Sequence, residues 1–294
     1  MTIGGGALLA GLTETIQNGL TMSGNFTIAA AHGQTLTTST TNGWALHPST
    51  GEVITFGTPG QDGTVLWSTP GSSTVSAPAN NYTVLVQAGT LRGNDGNFFV
   101  LLYNDQHTTI LSGATLDAAG FGLLVHDPQG GGHIGDSGGA TSLVVNDGSF
   151  SGVIDGPLSL TVQGTLFLAG NNTYTGGTLI EAGATLTLAG GTTSWVPGEI
   201  IDNGTLEFRH ANTFVEAGVI SGSGNLVQSG SGTTSRQPGR SAAAVTWSSS
   251  PARHRHCGST ARRCRGTRSS ISAPATQSIS TMSPPIAGAT PAAC

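Results

Sequence analysis

The chain has 294 residues, of which 46 are glycine and only 9% are charged, and it contains no lysine. All 15 acidic residues and two arginines lie in residues 1–235, which gives this body a formal charge of −13, whereas residues 236–294 carry eight arginines, no acid and all three cysteines. A body with so few cations argues against a nucleic-acid partner, because phosphate binding needs clustered lysine or arginine.

The N-terminal segment, residues 1–14, does not read as a targeting signal. It has no basic start, and glycines break its apolar run, whereas a secretory signal peptide combines a positive start with a continuous apolar region. We therefore expect either that the chain is not secreted by itself or that it is an internal piece of a longer reading frame. No stretch approaches the 18 apolar residues of a membrane-spanning helix.

Residues 1–132 contain short alternating segments separated by turn residues. The strongest predicted strands are residues 81–86 and 97–103, and residues 57–80 are richer in Pro, Gly and Ser, as in a long loop or a coil insertion. These features predict irregular coils that belong to the same solenoid as the more regular region that follows.

Residues 164–234 carry a strict repeat. Segments such as residues 164–168 alternate with a period of two, which is typical of strands with one face inward, and clusters of Gly and Asn between them suit turns. Apolar residues recur twenty positions apart in columns that predict internal ladders: Leu166, Leu186, Leu206 and Leu226; Ile180, Ile200 and Ile220; Leu168, Leu188 and Phe208. A fixed period of this size predicts an all-β solenoid, a single-stranded parallel β-helix whose coils stack about 4.8 Å apart.

One segment, Leu166–Leu188, carries a longer motif. Its core reads Asn-Thr-Tyr-Thr-Gly-Gly-Thr, with Asn172, Tyr174, Gly176, Gly177 and Thr178 as its characteristic residues. The segment closely resembles the autotransporter-associated β-strand repeat, also called the passenger-associated transport repeat. The resemblance covers residues 133–234 well. Residues 1–132 share only the general pattern of short alternating segments separated by turn residues.

This resemblance implies a right-handed β-helix and a non-enzymatic function. The chain would be a passenger fragment of a Gram-negative autotransporter, a stalk or adhesin at the cell surface, in the outer membrane or secreted, whose repeats assist export and folding. The implied partners are a C-terminal β-barrel translocator, which this sequence does not contain, and an unidentified host-surface or cell-surface ligand. No cofactor or metal is implied.

The C-terminal tail, residues 235–294, departs from the repeat abruptly and is rich in Arg, Ser, Ala and Pro. We expect it to be disordered, since it lacks the apolar content for a core. It can be a basic tail that binds an anionic surface, or the product of a shifted reading frame, which we favour. A zinc site is the third interpretation, but the dense arginines oppose it; its ligands would be His254, His256, Cys257 and Cys264.

An enzymatic alternative arises from residues 135–139, Gly-Asp-Ser-Gly-Gly, which match the nucleophile motif of chymotrypsin-like proteases. A secreted serine protease would use Ser137 with His32 as the base and Asp105, or Asp95, as the orienting acid. The competing interpretation is an ordinary Gly/Ser/Asp corner before a strand.

Three other chemistries find less support. A polysaccharide lyase or hydrolase needs clustered carboxylates or a basic residue, and the body has only two isolated arginines. A calcium-binding nonapeptide run is absent. The aromatic residues Tyr174, Trp195 and Phe214 suit a ladder along the solenoid better than a platform for sugar binding.

Overall fold

The computed structural model describes residues 2–17, 21–38, 45–47, 50–68, 82–95, 101–102, 105–190, 196–211, 214–216, 219–232, 234–236 and 246–249. They form an all-β solenoid, in which parallel sheets run along the stack and each regular coil contributes one strand to each sheet.

Sheet A is the longest sheet and has 13 strands. In spatial order its main path is Thr2–Ala10, Thr21–Ala30, Val53–Phe56, Tyr82–Val86, Asp105–Ile110, Pro128–Gly130, Gly148–Phe150, Thr165–Leu168, Thr185–Ala189, Thr205–Arg209, Asn225–Gln228 and Thr246–Ser249, and Ala45–His47 pairs with the second of these.

Two further sheets complete the walls of the solenoid, and a short fourth sheet pairs Phe214–Glu216 with Thr234–Arg236. Sheet B contains Glu14–Ile16, Thr35–Thr38, Thr64–Trp67, Thr90–Gly93, Thr115–Asp117, His133–Gly135 and Val153–Ile154. Sheet C contains Leu123–Val125, Thr141–Val145, Leu158–Val162, Thr178–Ile180, Ile200–Asp202 and Ile220–Ser221.

The predicted parallel β-helix is therefore confirmed. In residues 128–145, for example, the chain passes through sheets A, B and C in turn before it starts the next coil at Gly148. Upstream the spacing is uneven, since Phe56 pairs with Val86 and Ile110 pairs with Gly130. Among the described residues, no helix has the length and apolar character needed to cross a membrane.

The leucine ladder is confirmed residue by residue. The parallel register of sheet A pairs Leu166 with Leu186, Leu186 with Leu206 and Leu206 with Leu226, and all four side chains are fully buried. Each such leucine contributes about 2 kcal/mol through the apolar surface that it removes from water. The parallel column of Leu168, Leu188 and Phe208 is present as well.

The isoleucine ladder is only partly correct. Ile200 pairs with Ile220, but Ile180 pairs with Asp202, and Thr178 takes the position beside Ile200. The strands of Ile180 and Ile200 pair at an interval of 22 residues, whereas the strands of sheet A beside them pair at an interval of 20, and a shift of two residues returns each side chain to the same face of a strand. Ile180 consequently remains buried, although its partner in the next coil is a carboxylate.

That carboxylate, Asp202, lies inside the solenoid with no exposed surface. Burial raises the pKa of Asp202, and hydrogen bonds from the backbone N–H groups of Gly204 and Leu206 only partly oppose this. Oδ1 accepts the Gly204 N–H at 3.0 Å, while Oδ2 is buried and has no hydrogen-bond partner among the described residues. Asp202 therefore closes a turn at the cost of a poorly solvated charge.

Two predicted segments need correction. The strand expected over residues 97–103 is wrong where it can be checked, because Leu101 and Leu102 are buried but belong to no strand. The disorder expected from residue 235 onward is wrong for Ser235 and Arg236, which pair with Val215 and Glu216, and for Thr246–Ser249, which pair in parallel with Asn225–Gln228 and extend sheet A by one coil. The proposed zinc ligands and the remaining tail lie outside the described residues.

Candidate functional site

The proposed protease residues do not come together. His32 lies at a corner that follows Thr21–Ala30, its side chain is 87% exposed, and Nδ1 is 3.0 Å from Oδ1 of Asp62. Ser137 belongs to the coil that begins at Pro128, which is four strands further along sheet A. Four strand spacings correspond to about 19 Å, so His32 is not within reach of Ser137.

Asp105, the proposed orienting acid, begins its strand beside Tyr82 and lies one strand before the Ser137 coil in sheet A. Its side chain is outside the described part of the structure. The proposed arrangement of His32, Asp105 and Ser137 thus spans three different coils, and the backbone positions alone separate the base from the nucleophile.

Ser137 instead contacts Asp117 on the preceding coil. The Ser137 hydroxyl donates to Oδ2 of Asp117 at 2.7 Å, and the Ser137 N–H donates to Oδ1 at 3.0 Å. Oδ1 also accepts the N–H of Ala119 at 3.0 Å, and Nε of Arg92 lies 3.4 Å from Oδ2. The Gly-Asp-Ser-Gly-Gly motif therefore forms a corner between sheets B and C that is fastened to the coil before it.

The same corner borders a cleft of about 240 Å³ on the surface of sheet B. The lining residues that carry chemistry are Asp117, His133, Asp136, Ser137 and Asp155, and Gly135 also lines the cleft. Nε2 of His133 lies 3.1 Å from Oδ2 of Asp155. Among these residues the sequence analysis assigned a candidate catalytic role only to Ser137. A signal for the carboxylates was present, because Asp117, Asp136 and Asp155 stand nineteen residues apart, close to the coil period.

The characteristic residues of the repeat motif serve the interior. Asn172 is fully buried, its Oδ1 accepts the N–H of Ile154 at 3.0 Å, and its Nδ2 donates to the carbonyl of Gly170 at 3.3 Å. The hydroxyl of Tyr174 lies 2.6 Å from that of Thr178, and both residues are buried. Asn172 and Tyr174 have no exposed surface and Thr178 has only 4%, so these three side chains mainly connect and fill coils.

The two motif glycines lie where the chain passes close to other coils. A Cβ on Gly176 would lie 2.6 Å from the carbonyl oxygen of Leu158, and Gly177 has a φ of +80°. Both glycines line a second cleft of about 270 Å³ on sheet C, together with Glu199 and the half-exposed Ile201.

The aromatic ladder stays a prediction, because the side chain of only one of its three residues is described. Tyr174 lies inside the solenoid, as a structural role requires. Phe214 belongs to a strand that pairs with Thr234, but its side chain is not described, and Trp195 lies outside the described residues.

One polar cluster on sheet A joins three coils. Glu207 accepts hydrogen bonds from Thr187 at 2.8 Å, from Arg209 at 3.2 Å and from the hydroxyl of Ser229. Burial by itself raises the pKa of Glu207, but the hydrogen bonds from Ser229 and Thr187, together with the charge of Arg209, outweigh it and lower the pKa overall. Through these contacts the Glu207 carboxylate links side chains of three successive coils.

Within the described ranges, no three His, Cys, Asp or Glu side chains are arranged to hold a metal ion. No protein-family model, curated protein or solved structure matches this chain.

Proposed function

We propose that the chain is a passenger segment of the autotransporter type, a non-enzymatic β-helical stalk or adhesin whose coils assist export and folding. The proposal rests on the resemblance of residues 166–188 to the passenger-associated repeat and on one structural observation. That observation is the unbroken parallel stack of sheet A, in which the strands from Thr165–Leu168 to Asn225–Gln228 pair at a twenty-residue interval.

A stack of this kind suits export of an unfolded chain through a pore. Each coil contacts only its neighbours, and its apolar side is covered once the next coil is in place. Folding can therefore proceed coil by coil as the chain emerges, because each strand pairs with a strand about twenty residues earlier, which has already left the pore.

The roles of the motif residues support the same proposal. Asn172 ties its coil to Ile154 one coil earlier, and the Tyr174–Thr178 pair fills the interior of the same coil. Residues with this function help a new coil to dock on the previous one, which is what a repeat that assists folding during export must do.

The distribution of cysteines along the chain also supports the proposal. The body holds no cysteine, since Cys257, Cys264 and Cys294 all lie in the tail. The periplasm favours disulfide formation, and a disulfide formed there would obstruct passage of the chain through a pore. The expected destination is the cell surface or the medium, and the expected partners are a β-barrel translocator and a surface ligand.

The test is a display experiment in a Gram-negative host. The full chain is placed between a signal peptide and the β-barrel of an unrelated autotransporter, and surface exposure is measured by protease shaving of intact cells. We expect the chain at the surface in a protease-resistant form. Retention in the periplasm, while a known passenger on the same barrel is displayed, would contradict the proposal.

A further inference from the structure

The outward face of sheet C carries an apolar stripe that crosses five coils. Its members pair in parallel register from each coil to the next: Leu124, Val144, Thr161, Leu179 and Ile201. Ile201 is 41% exposed, and the other four are partly exposed. Four strand spacings make the stripe about 19 Å long. Aliphatic side chains that are lined up on a surface, and not scattered singly, indicate a place where another molecule packs.

The stripe borders the cleft of about 270 Å³ on sheet C, which Leu179 and Ile201 both line. Gly176 and Gly177 line the same cleft, and because they have no side chains the surface is recessed beside the two aliphatic residues. An aliphatic side chain of a partner that entered this recess would remove apolar surface from water on both molecules, which favours association.

Acidic side chains border the stripe on both sides at this end. Glu199 precedes Ile201 by two residues and Glu181 follows Leu179 by two, and residues two apart along a strand project from the same face. Glu199 is exposed, and its carboxylate has no hydrogen bond or ion pair within the described part of the chain. Glu181 accepts a hydrogen bond from Nε2 of Gln163 at 3.3 Å, and this neutral amide leaves its charge uncompensated.

The cations of the body do not offset this charge. Its two arginines belong to other sheets, Arg92 to sheet B and Arg209 to sheet A, and each is paired with a carboxylate there. His126 follows the first strand of sheet C, and burial lowers its pKa, so that it is mostly uncharged at pH 7. An apolar stripe with acidic borders complements a partner surface whose apolar centre is bordered by cations. A second copy of the chain fits poorly, because two bodies of negative charge repel each other.

We propose that the stripe on sheet C docks a basic amphipathic helix of a partner protein. Successive apolar positions on one face of a helix lie about 5–6 Å apart, close to the ~4.8 Å between coils, whereas same-face residues of an extended strand lie ~6.8 Å apart. Glu181 and Glu199 stand four residues apart in register, or ~13 Å along the strand direction. A helix is about 10–12 Å across, so lysines on its two flanks can reach both carboxylates.

The partner's chemistry follows from this face of the solenoid alone. The inference therefore goes beyond the proposed export role and does not rest on it. Failure to bind a helix would leave surface display unchanged, and failure of display would leave the binding experiment unaffected.

The experiment titrates the full chain into a fluorescein-labelled helical peptide of about 14 residues, ~20 Å long, with leucines on one face and lysines on both flanks. Binding is followed by fluorescence anisotropy at pH 7, at low and at high salt. One control peptide has the same composition in scrambled order, so that it has no apolar face, and another carries glutamate in place of lysine. We expect saturable binding of the first peptide only, weaker at high salt.

The decisive variant is Ile201→Thr, which keeps a β-branched residue in the strand and removes part of the exposed apolar surface. It should weaken binding about fivefold or more. Leu111→Thr is the matched control, because Leu111 is 39% exposed at a corner that follows a strand of sheet A. It should change the affinity by less than about twofold. Thermal unfolding of both variants confirms that they are folded.

Glu199→Gln tests the acidic border by a change on the surface that leaves the core intact. It should weaken binding about threefold at low salt and less at high salt, whereas Glu14→Gln, at an exposed acid on sheet B, should have no effect. Equal binding of the scrambled peptide, or equal affinity of Ile201→Thr and the unmodified chain, would overturn the proposal. Self-association of the chain that Ile201→Thr abolishes, measured by sedimentation, would also overturn it, because the stripe would then belong to a second copy.

Discussion

Tyr174 and Thr178 are joined inside the solenoid by a hydrogen bond of 2.6 Å between their hydroxyl groups. Both side chains are buried, at 0% and 4% exposure. The two residues stand four positions apart and flank Gly176 and Gly177, so the bond closes the corner that leads into the strand Thr178–Ile180.

Tyr174→Phe should lower the free energy of unfolding by about 1–2 kcal/mol, because it removes a hydroxyl and leaves that of Thr178 buried with one partner fewer. Thr178→Val should cost a similar amount. The double variant should cost less than the sum of the two, since both ends of one bond are then removed. Urea denaturation followed by circular dichroism measures all three; strict additivity would show that the two hydroxyls are not coupled.

Asn172→Asp should destabilise the fold at pH 7 by about 2–4 kcal/mol, because it places a charge at a fully buried position and removes the donor to the carbonyl of Gly170. Asn171→Asp is the control, since Asn171 is exposed, and its effect should stay within about 0.5 kcal/mol. The pair is compared by thermal unfolding, and equal effects would mean that Asn172 is not interior.

Gly170→Ala should cost about 3 kcal/mol or more, because its Cβ would lie 1.6 Å from the carbonyl oxygen of Gly152 and backbone atoms of two coils would have to separate. Gly11→Ala is the matched control, since no atom lies within 4 Å of the position that its Cβ would take. A loss of ordered β-structure is expected for the first variant and little change for the second. Similar melting temperatures would show that the coils are not in this close contact.

Asp202 gives a pH dependence with a defined sign. Burial raises the pKa of Asp202 in the folded state above its value in the unfolded chain, so the folded state binds the proton more tightly. The destabilisation caused by the buried carboxylate is therefore fully present above the folded pKa. It is lost as the pH falls through the folded pKa towards the unfolded pKa. Asp202→Asn should therefore be more stable than the unmodified chain at pH 7, with the advantage shrinking towards pH 4. Denaturant midpoints measured across this range test it, and a constant difference would contradict it.

Glu207 should give a pH dependence of stability that is opposite in sign to that of Asp202. Its folded pKa is lowered by the hydrogen bonds from Ser229 and Thr187 and by Arg209. Its stabilising contribution is therefore present above the unfolded pKa and is lost as the pH falls through the folded value. Glu207→Gln should reduce stability at pH 7 and have little effect at the acidic end of the same pH series; a loss of equal size at both ends would rule out the charge as its cause.

The sequence by itself determined the architecture of residues 164–234. Period-two alternation assigns strands, and leucines twenty residues apart can be buried together only if identical coils stack in register, as Leu166 and Leu186 do. The polar character of the Gly-Asp-Ser-Gly-Gly corner was also predictable, because these residues satisfy backbone groups at a turn.

The tertiary structure decided what depends on which coils are neighbours and by how many residues they differ. The strands that hold Ile180 and Ile200 pair at an interval of 22 residues instead of 20, which places Asp202 beside Ile180, and the pattern of alternation hides this because a shift of two leaves every side chain on its own face. The cleft on sheet B likewise exists only once Asp117, Asp136 and Asp155 come together from three successive coils. A spacing in sequence becomes a distance in space only through the stack, and the stack is set by the lengths of the corners, which carry no periodic signal of their own.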